Sequence, residues 1–362
     1  MKKINILCVI GLMNTGGVES VMMNYYERFD KTKFSITFLT SSNSKDIPYG
    51  WLDKNGIEII VVDVFKNKIK TFFTFIEIFK RLNIDIIHSN VSNLFIFLAA
   101  FLCRVKVRVI HSHLFMENKY KTIKNKINIY TTNHLATTYI ACGKAAGRDM
   151  FANKDFTYVK NAININKFIF NAKEKYEISK KLNLDGMIVF GCVARFEEQK
   201  NHKFLLQVFN CINHYIQNSH LLLVGDGILR QDLEKQAKEL NLIQNISFVG
   251  NVVNPEIYYS AMDCFLLTSF FEGFPVVLVE AQTNGLKCFV SDKVSREVKI
   301  LDSFEFVSLN YDSKFWAKKI LFSYKTTKFK RYENSVEKIK QQGFDIDIES
   351  KRLQDLYLEL IK

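Results

Sequence analysis

Short apolar runs alternate along this chain with segments in which apolar residues recur every three or four positions. In the first half, runs typical of β-strands lie at 4–10, 34–40, 57–63, 84–90, 107–113 and 137–142. In the second half, they lie at 187–194, 219–225, 246–250, 263–269 and 286–292. Helical patterns separate these runs, and this alternation predicts α/β domains built on parallel sheets.

A polar, charged stretch around 161–186 divides the pattern into two series. Because 362 residues exceed what one compact core accommodates, we expect two domains. The pattern beyond residue 342 is that of a terminal helix, which could pack across either domain. Its apolar residues at helical spacing are Leu353, Leu356, Tyr357, Leu360 and Ile361.

The longest apolar segments are too short to span a bilayer. Residues 94–103 reach about half a membrane span, and we interpret them as a buried helix. The amino-terminal residues resemble a signal peptide weakly but lack a small-residue cleavage site, so a strand and a loop explain them better. The helical stretch 66–82 is interpreted as a cover for the core, with one apolar face formed by Ile69, Phe72, Phe73, Ile76 and Phe79. We therefore expect a soluble or peripheral cytoplasmic protein.

Positive charge is concentrated in the first half of the chain. The net charge is +13, and residues 1–170 hold 24 Lys and Arg against 12 Asp and Glu. Such a basic domain favours nucleic acid, an anionic membrane surface or a phosphorylated substrate as its partner. Lysines in 66–82 and 119–130 indicate the membrane surface as one hypothesis. Nucleic acid is disfavoured, because the lysines are spread over many elements and no helix-turn-helix pattern occurs.

The seven cysteines are scattered and form no CxxC pair. Most of them lie in apolar runs, which is typical of buried thiols in a reducing compartment rather than of disulfides or a zinc site.

Two glutamates flank a Gly/Pro turn in the segment "SFFEGFPVVLVEAQTNG", residues 269–285. Glu272 should lie in a loop after a buried strand, and Pro275 suits the first turn of a helix that carries Glu280 on its second turn. The free N–H groups at that helix start would form an anion pocket. The pattern fits a polyol phosphate. The alternative interpretation is that neither glutamate binds a ligand: Glu272 would be solvated, and Glu280 would cap a neighbouring element.

Other candidate residues follow strands in both halves. In "VARFEEQKNH", Arg195 and Lys200 suit a diphosphate. "LLVGDG" ends another strand with a glycine-rich turn. Gly16 and Gly17 lie between a strand and a helix, in a loop that does not fit a dinucleotide fingerprint but suits close approach of a phosphate. "HSH", residues 111–113, ends a further strand. Open α/β sheets bind ligands at these carboxyl ends.

The ordered set "NTGGVE", "RVIHSH", "VKNAININKF", "VARFEEQKNH", "LLVGDG" and "SFFEGFPVVLVEAQTNG" resembles the retaining glycosyltransferases of family 4, also called glycosyltransferase group 1. The bacterial exopolysaccharide and capsule enzymes are the most similar in pattern. The resemblance implies the GT-B fold, with two Rossmann-like domains whose parallel sheets face each other across a cleft. Residues 1–168 would bind the acceptor, 169–186 would link the domains, 187–342 would bind the nucleotide sugar, and 343–362 would cross back to the first domain.

The resemblance also implies a role for each matching residue. Glu280 would accept hydrogen bonds from the ribose, and Glu272 would hold the donated sugar. Arg195 and Lys200 would stabilise the diphosphate. The catalytic set implied is His113, Glu272, Arg195 and Lys200. The donor-binding set implied is Gly16, Gly17, Arg195, Lys200, Gly250, Asn251, Glu272, Gly273, Phe274, Pro275 and Glu280.

The implied reaction moves a hexose or N-acetylhexosamine from a nucleotide sugar, for which we expect UDP, to a lipid-diphosphate-linked glycan acceptor. Neither a metal nor a cofactor is expected, because cations and backbone amides would stabilise the leaving diphosphate. The Asp345-x-Asp347 pair is interpreted as helix capping. A sugar-nucleotide epimerase or hydrolase of the same architecture is the alternative. The chain departs from the family at Ala162, where glycine is usual and strain is expected, and at Gly143, where serine is common.

Overall fold

The computed structural model describes residues 2–14, 16–63, 68–113 and 122–362. It divides into two compact units. The first comprises the chain up to Ala162 together with Ile346–Lys362, and the second comprises Ile163–Asp345.

The first unit is built on a seven-stranded parallel sheet with the order β3-β2-β1-β4-β5-β6-β7. Its strands are β1 Ile4–Val9, β2 Phe34–Ser41, β3 Glu58–Val62, β4 Ile86–Ser89, β5 Val107–Ser112, β6 Thr138–Ala141 and β7 Thr157–Tyr158. Its helices include α1 Gly17–Glu27, α2 Tyr49–Asn55, α3 Lys68–Leu82, α4 Leu94–Leu102, α5 Ile123–Leu135 and α6 Lys144–Phe151. The strand order reverses between β1 and β4, which opens a crevice at their carboxyl ends.

The second unit repeats this architecture with a six-stranded sheet of order β10-β9-β8-β11-β12-β13. Its strands are β8 Ile188–Val193, β9 Ser219–Val224, β10 Ile246–Gly250, β11 Cys264–Leu267, β12 Lys287–Ser291 and β13 Phe304–Val307. Its helices are α7 Ile165–Phe168, α8 Ala172–Leu182, α9 His202–Tyr215, α10 Arg230–Glu239, α11 Glu256–Ala261, α12 Val276–Thr283, α13 Ser313–Thr327 and α14 Ser335–Gln341. Here the strand order reverses between β8 and β11.

The expected linker, 169–186, contains the helix α8, which packs against α11 within the second unit. The final helix, α15 Ile346–Ile361, belongs to the first unit and packs against α1. The serine hydroxyl of Ser350 donates to the Tyr25 carbonyl oxygen at 3.0 Å, which fixes α15 on that helix.

The helix α3 corrects the face predicted for 66–82, of which residues 66 and 67 lie outside the described part. Phe75, Ile78 and Phe79 are buried in the core of the first unit, whereas Ile69 and Phe73 are exposed. The prediction was therefore wrong for Ile69 and Phe73, but Phe79 is buried as predicted and Phe72 and Ile76 pack against the core. Spacing alone did not distinguish between neighbouring apolar positions at the edges of the buried face. By contrast, α4 buries Ile96, Phe97, Ala99 and Ala100, as expected for 94–103.

Two other local expectations were tested. Ala162 is absent from the residues with positive φ among those described, so the strain expected at this departure from glycine does not arise. Gly143, where the family commonly has serine, adopts an extended conformation and is the N-cap of α6. The carboxylate of Asp347 in the first turn of α15 pairs with Arg28.

Candidate functional site

Two polar loops meet in the second unit at the carboxyl ends of β8 and β11, where the strand order reverses. The first loop contains a short 3₁₀ helix, Glu198–Lys200, and the second contains Glu272. The ammonium of Lys200 pairs with Oε1 of Glu272, and their side chains are only 16% and 9% exposed. The hydroxyl of Ser269 donates to the same carboxylate oxygen at 2.9 Å. A cation and a carboxylate therefore lie side by side where an open α/β sheet binds ligands.

Hydrogen bonds to backbone carbonyls hold these two loops together. The amide of Phe270 donates to the Gln199 carbonyl at 2.8 Å, and the Gln199 side chain donates to the Phe271 carbonyl at 2.8 Å. The Thr268 hydroxyl donates to the Asn201 carbonyl at 3.0 Å. Reciprocal bonds of this kind fix Lys200 relative to Glu272 before a ligand binds, which lowers the entropic cost of binding.

Arg195 lies in the same loop as Lys200, but its guanidinium pairs with Glu197 at 3.0 Å and is 42% exposed. The structure thus places both predicted cations at one edge of the sheet while giving them different partners. The exposed guanidinium can turn toward an incoming anion, because a surface ion pair is weak.

Gly225, directly after β9, and Gly250, the last residue of β10, allow neighbouring strand ends to approach closely. Gly225 has φ +134°, and a Cβ there would lie 2.1 Å from the Ala194 carbonyl oxygen. Its amide donates to the Gly250 carbonyl at 3.0 Å. Gly250, with φ +83°, also needs a conformation that L residues avoid. Asn251 follows it and is exposed at the same edge.

The helix α12 carries the second glutamate of the motif. Pro275 is its N-cap rather than a residue of the first turn, a shift of one position from the prediction. Glu280 lies on the second turn, as predicted. The segment before the helix holds Gly273 and Phe274, whose ring stacks on Phe344 with ring centroids 5.4 Å apart. The start of α12 is thereby anchored in the second unit.

Glu280 is partly buried, and its Oε2 accepts a hydrogen bond from the Tyr259 hydroxyl at 2.5 Å. Burial raises the pKa of Glu280 to about 7, and the charge of Glu256 acts in the same direction, although the Tyr259 bond opposes both. The charged form of such a carboxyl is stabilised when the hydroxyls of a ligand donate hydrogen bonds to it. The sequence did not identify Tyr259, which comes from the separate helix α11.

In the first unit, the glycine-rich loop at Gly16 and Gly17 is held by a glutamate that the sequence analysis missed. Oε1 of Glu19 accepts from the Gly16 amide at 2.6 Å and from the Asn14 amide at 3.0 Å. A Cβ at Gly16 would lie 2.9 Å from this carboxylate. The Gly16 amide is therefore engaged by Glu19 in this structure. The spacing of a glutamate three residues after the N-cap is the capping-box signal that identifies it.

His113 directly follows β5 and is buried between two asparagines. Its Nε2 lies 2.8 Å from Oδ1 of Asn90 and its Nδ1 lies 3.2 Å from Oδ1 of Asn161. Burial lowers the pKa of His113 to about 4, so its ring is neutral near pH 7. The Asn90 amide nitrogen donates to the Val9 carbonyl at 3.0 Å, so Asn90 presents its oxygen to His113. Each ring nitrogen of His113 therefore faces an asparagine side chain, and the neutral ring has one proton to donate between them.

Within the described part of the chain, no three His, Cys, Asp or Glu side chains form a group that could hold a metal ion. Among the described helices, none is both long and apolar enough to cross a bilayer.

The family follows from comparison with known proteins. The family model "Glycosyl transferases group 1" matches residues 174–342, and "Glycosyltransferase Family 4" matches residues 15–167. Together these matches cover nearly all of both units. The chain belongs to glycosyltransferase family 4. It is therefore a glycosyltransferase, and its two parallel-sheet, Rossmann-like units form the GT-B fold.

Curated relatives of this glycosyltransferase are bacterial. It is 31% identical to the putative glycosyltransferase EpsF of Bacillus subtilis (strain 168), over 94% of this chain and 92% of that protein. It is 26% identical to the capsular polysaccharide biosynthesis glycosyltransferase CapH of Staphylococcus aureus, over 98% and 99%. It is 24% identical to the UDP-Gal:alpha-D-GlcNAc-diphosphoundecaprenol alpha-1,3-galactosyltransferase of Escherichia coli, over 95% and 94%. The similarity to these relatives shows that this chain is a glycosyltransferase involved in bacterial polysaccharide synthesis.

Solved structures share the fold. HepE from Anabaena, in complex with UDP and glucose, superimposes with a TM-score of 0.83 over 97% of this chain and 98% of that chain, at 17% identity.

Proposed function

We propose that this glycosyltransferase moves a hexose or N-acetylhexosamine from a UDP-sugar to a lipid-diphosphate-linked glycan acceptor, with retention of anomeric configuration and without a metal. The observation that carries the proposal is the Lys200–Glu272 pair at the carboxyl edge of the second sheet. A nucleotide sugar presents an anionic diphosphate next to neutral hydroxyls. The ammonium suits the first group and the carboxylate suits the second.

The proposed chemistry breaks the bond between the anomeric carbon and the diphosphate oxygen, so negative charge grows on the departing nucleoside diphosphate. Lys200, Arg195 and the first amides of α12 would stabilise that charge. The acceptor hydroxyl would attack from the same face, and its proton would pass to the departing oxygen. Glu272 is not assigned as a covalent nucleophile, because Lys200 and Ser269 already engage its carboxylate.

The donor class and the transfer step can be tested together. In a thermal-shift panel of UDP-, GDP- and ADP-sugars, we expect the largest rise in melting temperature with a UDP-sugar, since ligand binding stabilises the native state. Product analysis with a lipid-diphosphate-linked acceptor should then show a new α-linked glycan. Conversion of the nucleotide sugar without acceptor, at the rate seen with it, would instead indicate an epimerase or a hydrolase.

We also propose that the first unit docks on the inner face of the cell membrane, where such an acceptor is presented to a cytoplasmic enzyme. The helices α3, α4 and α5 are neighbours in this unit. On α5, Ile123, Ile127 and Tyr130 share one exposed helical face, and α3 exposes Ile69 and Phe73. Exposed basic residues on or near these helices are Lys70, Lys80, Arg81, Arg104, Lys106 and Lys126. Apolar side chains flanked by cations are typical of an interfacial surface for anionic lipid.

Co-sedimentation with vesicles should show strong binding to phosphatidylcholine vesicles that contain phosphatidylglycerol and weak binding to pure phosphatidylcholine. Replacing Ile123 and Ile127 by serine should reduce binding to the anionic vesicles by at least about 30-fold, because each buried isoleucine contributes about 1–2 kcal/mol and about 1.4 kcal/mol corresponds to a factor of ten. Phe322→Ser is the matched control, since Phe322 is equally exposed but lies on α13 of the second unit. Equal partition onto both vesicle types would contradict the electrostatic attraction.

A further inference from the structure

Three histidines form a contiguous buried group in the first unit. His88 lies on β4, His111 lies on β5, and His113 follows β5 directly. Nε2 of His88 is 3.0 Å from Nδ1 of His111. The rings of His111 and His113 lie face to face, with centroids 3.9 Å apart and planes tilted by 36°. A continuous chain of ring contacts therefore leads from His88 to His113.

The final helix completes this chain at its other end. The Tyr357 hydroxyl on α15 is hydrogen-bonded to Nδ1 of His88, and it lies 3.2 Å from the Tyr26 hydroxyl. Tyr357, Tyr26 and His88 have no exposed surface. A residue near the carboxyl terminus thus contacts the histidines at the sheet edge, although 269 positions separate it from His88.

Because the rings of His88 and His111 are both neutral, the Tyr357 hydroxyl is needed to satisfy the second nitrogen of His88. Burial lowers the pKa of His88 to about 3 and that of His111 well below its usual value, so each neutral ring carries one proton. If Tyr357 donates to Nδ1 of His88, then Nε2 of His88 donates to His111. The reverse order also satisfies both rings. In either order, the hydroxyl is the partner that fixes the tautomer of His88.

The orientation of His111 depends on that bond. Nε2 of His111 has no hydrogen-bond partner among the described residues, although the Val159 backbone acts to raise the pKa of this ring. Its one good polar contact is Nδ1 with His88. His111 supports one face of the His113 ring, whose two nitrogens contact Asn90 and Asn161, so a rotation of His111 would change how His113 is held.

We propose that Tyr357 and His88 are positioning residues for His113, acting through His111. The proposal rests on the proposed function, together with the catalytic role that the family resemblance implies for His113. It extends the machinery of the first unit from the sheet edge to the terminal helix.

The test compares Tyr357→Phe with Tyr26→Phe. Each removes one buried hydroxyl from the same cluster, but only the first removes the partner of His88. We expect Tyr357→Phe to lower kcat about tenfold with little change in the KM for the donor, because a misplaced contact slows the chemical step without weakening nucleotide binding. Tyr26→Phe should stay within about twofold of the parent. Circular dichroism would verify that both variants are folded.

A double-mutant cycle separates positioning from a general loss of packing. In a His113→Ala background, Tyr357→Phe should lower kcat no further, because its effect passes through His113. An undiminished tenfold loss in that background would overturn the proposal.

A second readout does not depend on transfer activity. With ¹⁵N-labelled histidine, the ring nitrogen signals of His113 should shift in Tyr357→Phe and remain in place in Tyr26→Phe. If the parent protein transferred no sugar, the proposed function would fail while this measurement still tested the positioning. Unchanged His113 signals in Tyr357→Phe would overturn the proposal that Tyr357 positions His113.

Discussion

Replacing Lys200 by methionine should lower the turnover number for glycosyl transfer by about 10²–10³-fold, the usual effect of removing one group that stabilises developing negative charge. Methionine keeps the length and apolar stem of the side chain but removes the cation. Lys200 is well suited to this role because reciprocal hydrogen bonds between its loop and the Glu272 loop hold it in place. Steady-state kinetics with saturating donor would measure the change.

The same substitution should also destabilise the fold, so its two effects must be separated. Removing Lys200 leaves the carboxylate of Glu272 without its cation in a site where both side chains are largely buried, which costs about 3 kcal/mol. The double variant Lys200→Met/Glu272→Gln removes both charges and should recover most of this stability in urea unfolding. It should recover none of the activity.

Lys287→Met is the matched control for Lys200→Met. Lys287 is 14% exposed and pairs with Glu305 at 2.7 Å in the same unit, but it lies at the start of β12, away from the carboxyl edge. Its loss should reduce stability and leave turnover within about twofold. A Lys200→Met enzyme with the turnover of the parent would remove Lys200 from the proposed chemistry.

The strands of both sheets were mostly predictable because buried parallel strands are short, continuous apolar runs. Two strands escaped the prediction for identifiable reasons. The strand β7, Thr157–Tyr158, has two residues that are both exposed, and β13, Phe304–Val307, contains a glutamate in its short run. Edge strands of this kind depend on pairing with a neighbour, so their own sequence carries little signal.

Within the candidate site, the sequence identified groups that project from strand ends, since motif spacing fixes their place. It did not identify the residues that hold those groups. Tyr259 reaches Glu280 from another helix, Asn90 reaches His113 from the end of another strand, and Tyr357 reaches His88 from the final helix. Such contacts arise only when distant segments pack together. Glu19 is the exception, because its contact with the Gly16 loop is local and follows from capping.

Replacing Glu280 by glutamine should weaken donor binding by about 10²-fold and abolish the pH dependence of that binding. The proposed ribose hydroxyls donate to the charged carboxylate, and each such charge-assisted bond contributes about 1.5–3 kcal/mol. Because the pKa of Glu280 is raised to about 7, the parent must lose a proton to bind donor at lower pH. Its affinity should therefore fall as pH decreases below about 7, by up to tenfold per pH unit. Glutamine does not titrate, so the affinity of the variant should not change with pH in this range.

Isothermal titration with UDP-glucose between pH 5.5 and 8.5 would measure this effect, since its diphosphate is doubly esterified and does not itself titrate there. Glu305→Gln is the control, because Glu305 pairs with Lys287 away from the site and should leave both affinity and pH slope unchanged. Parent-like affinity and an unaltered slope in Glu280→Gln would exclude Glu280 from the donor site.

Glu280→Gln should at the same time stabilise the unliganded protein at alkaline pH. The folded pKa of about 7 lies above the ordinary value of 4.5, so the native state of the parent binds more protons than the unfolded state between these values. The stability contributed by protonated Glu280 is present below about pH 4.5 and is lost as pH rises through 7. At pH 8 the variant should therefore exceed the parent by up to about 3 kcal/mol in urea unfolding. That gain would arise because the parent holds a carboxylate in a partly buried site where the ligand supplies its missing partners.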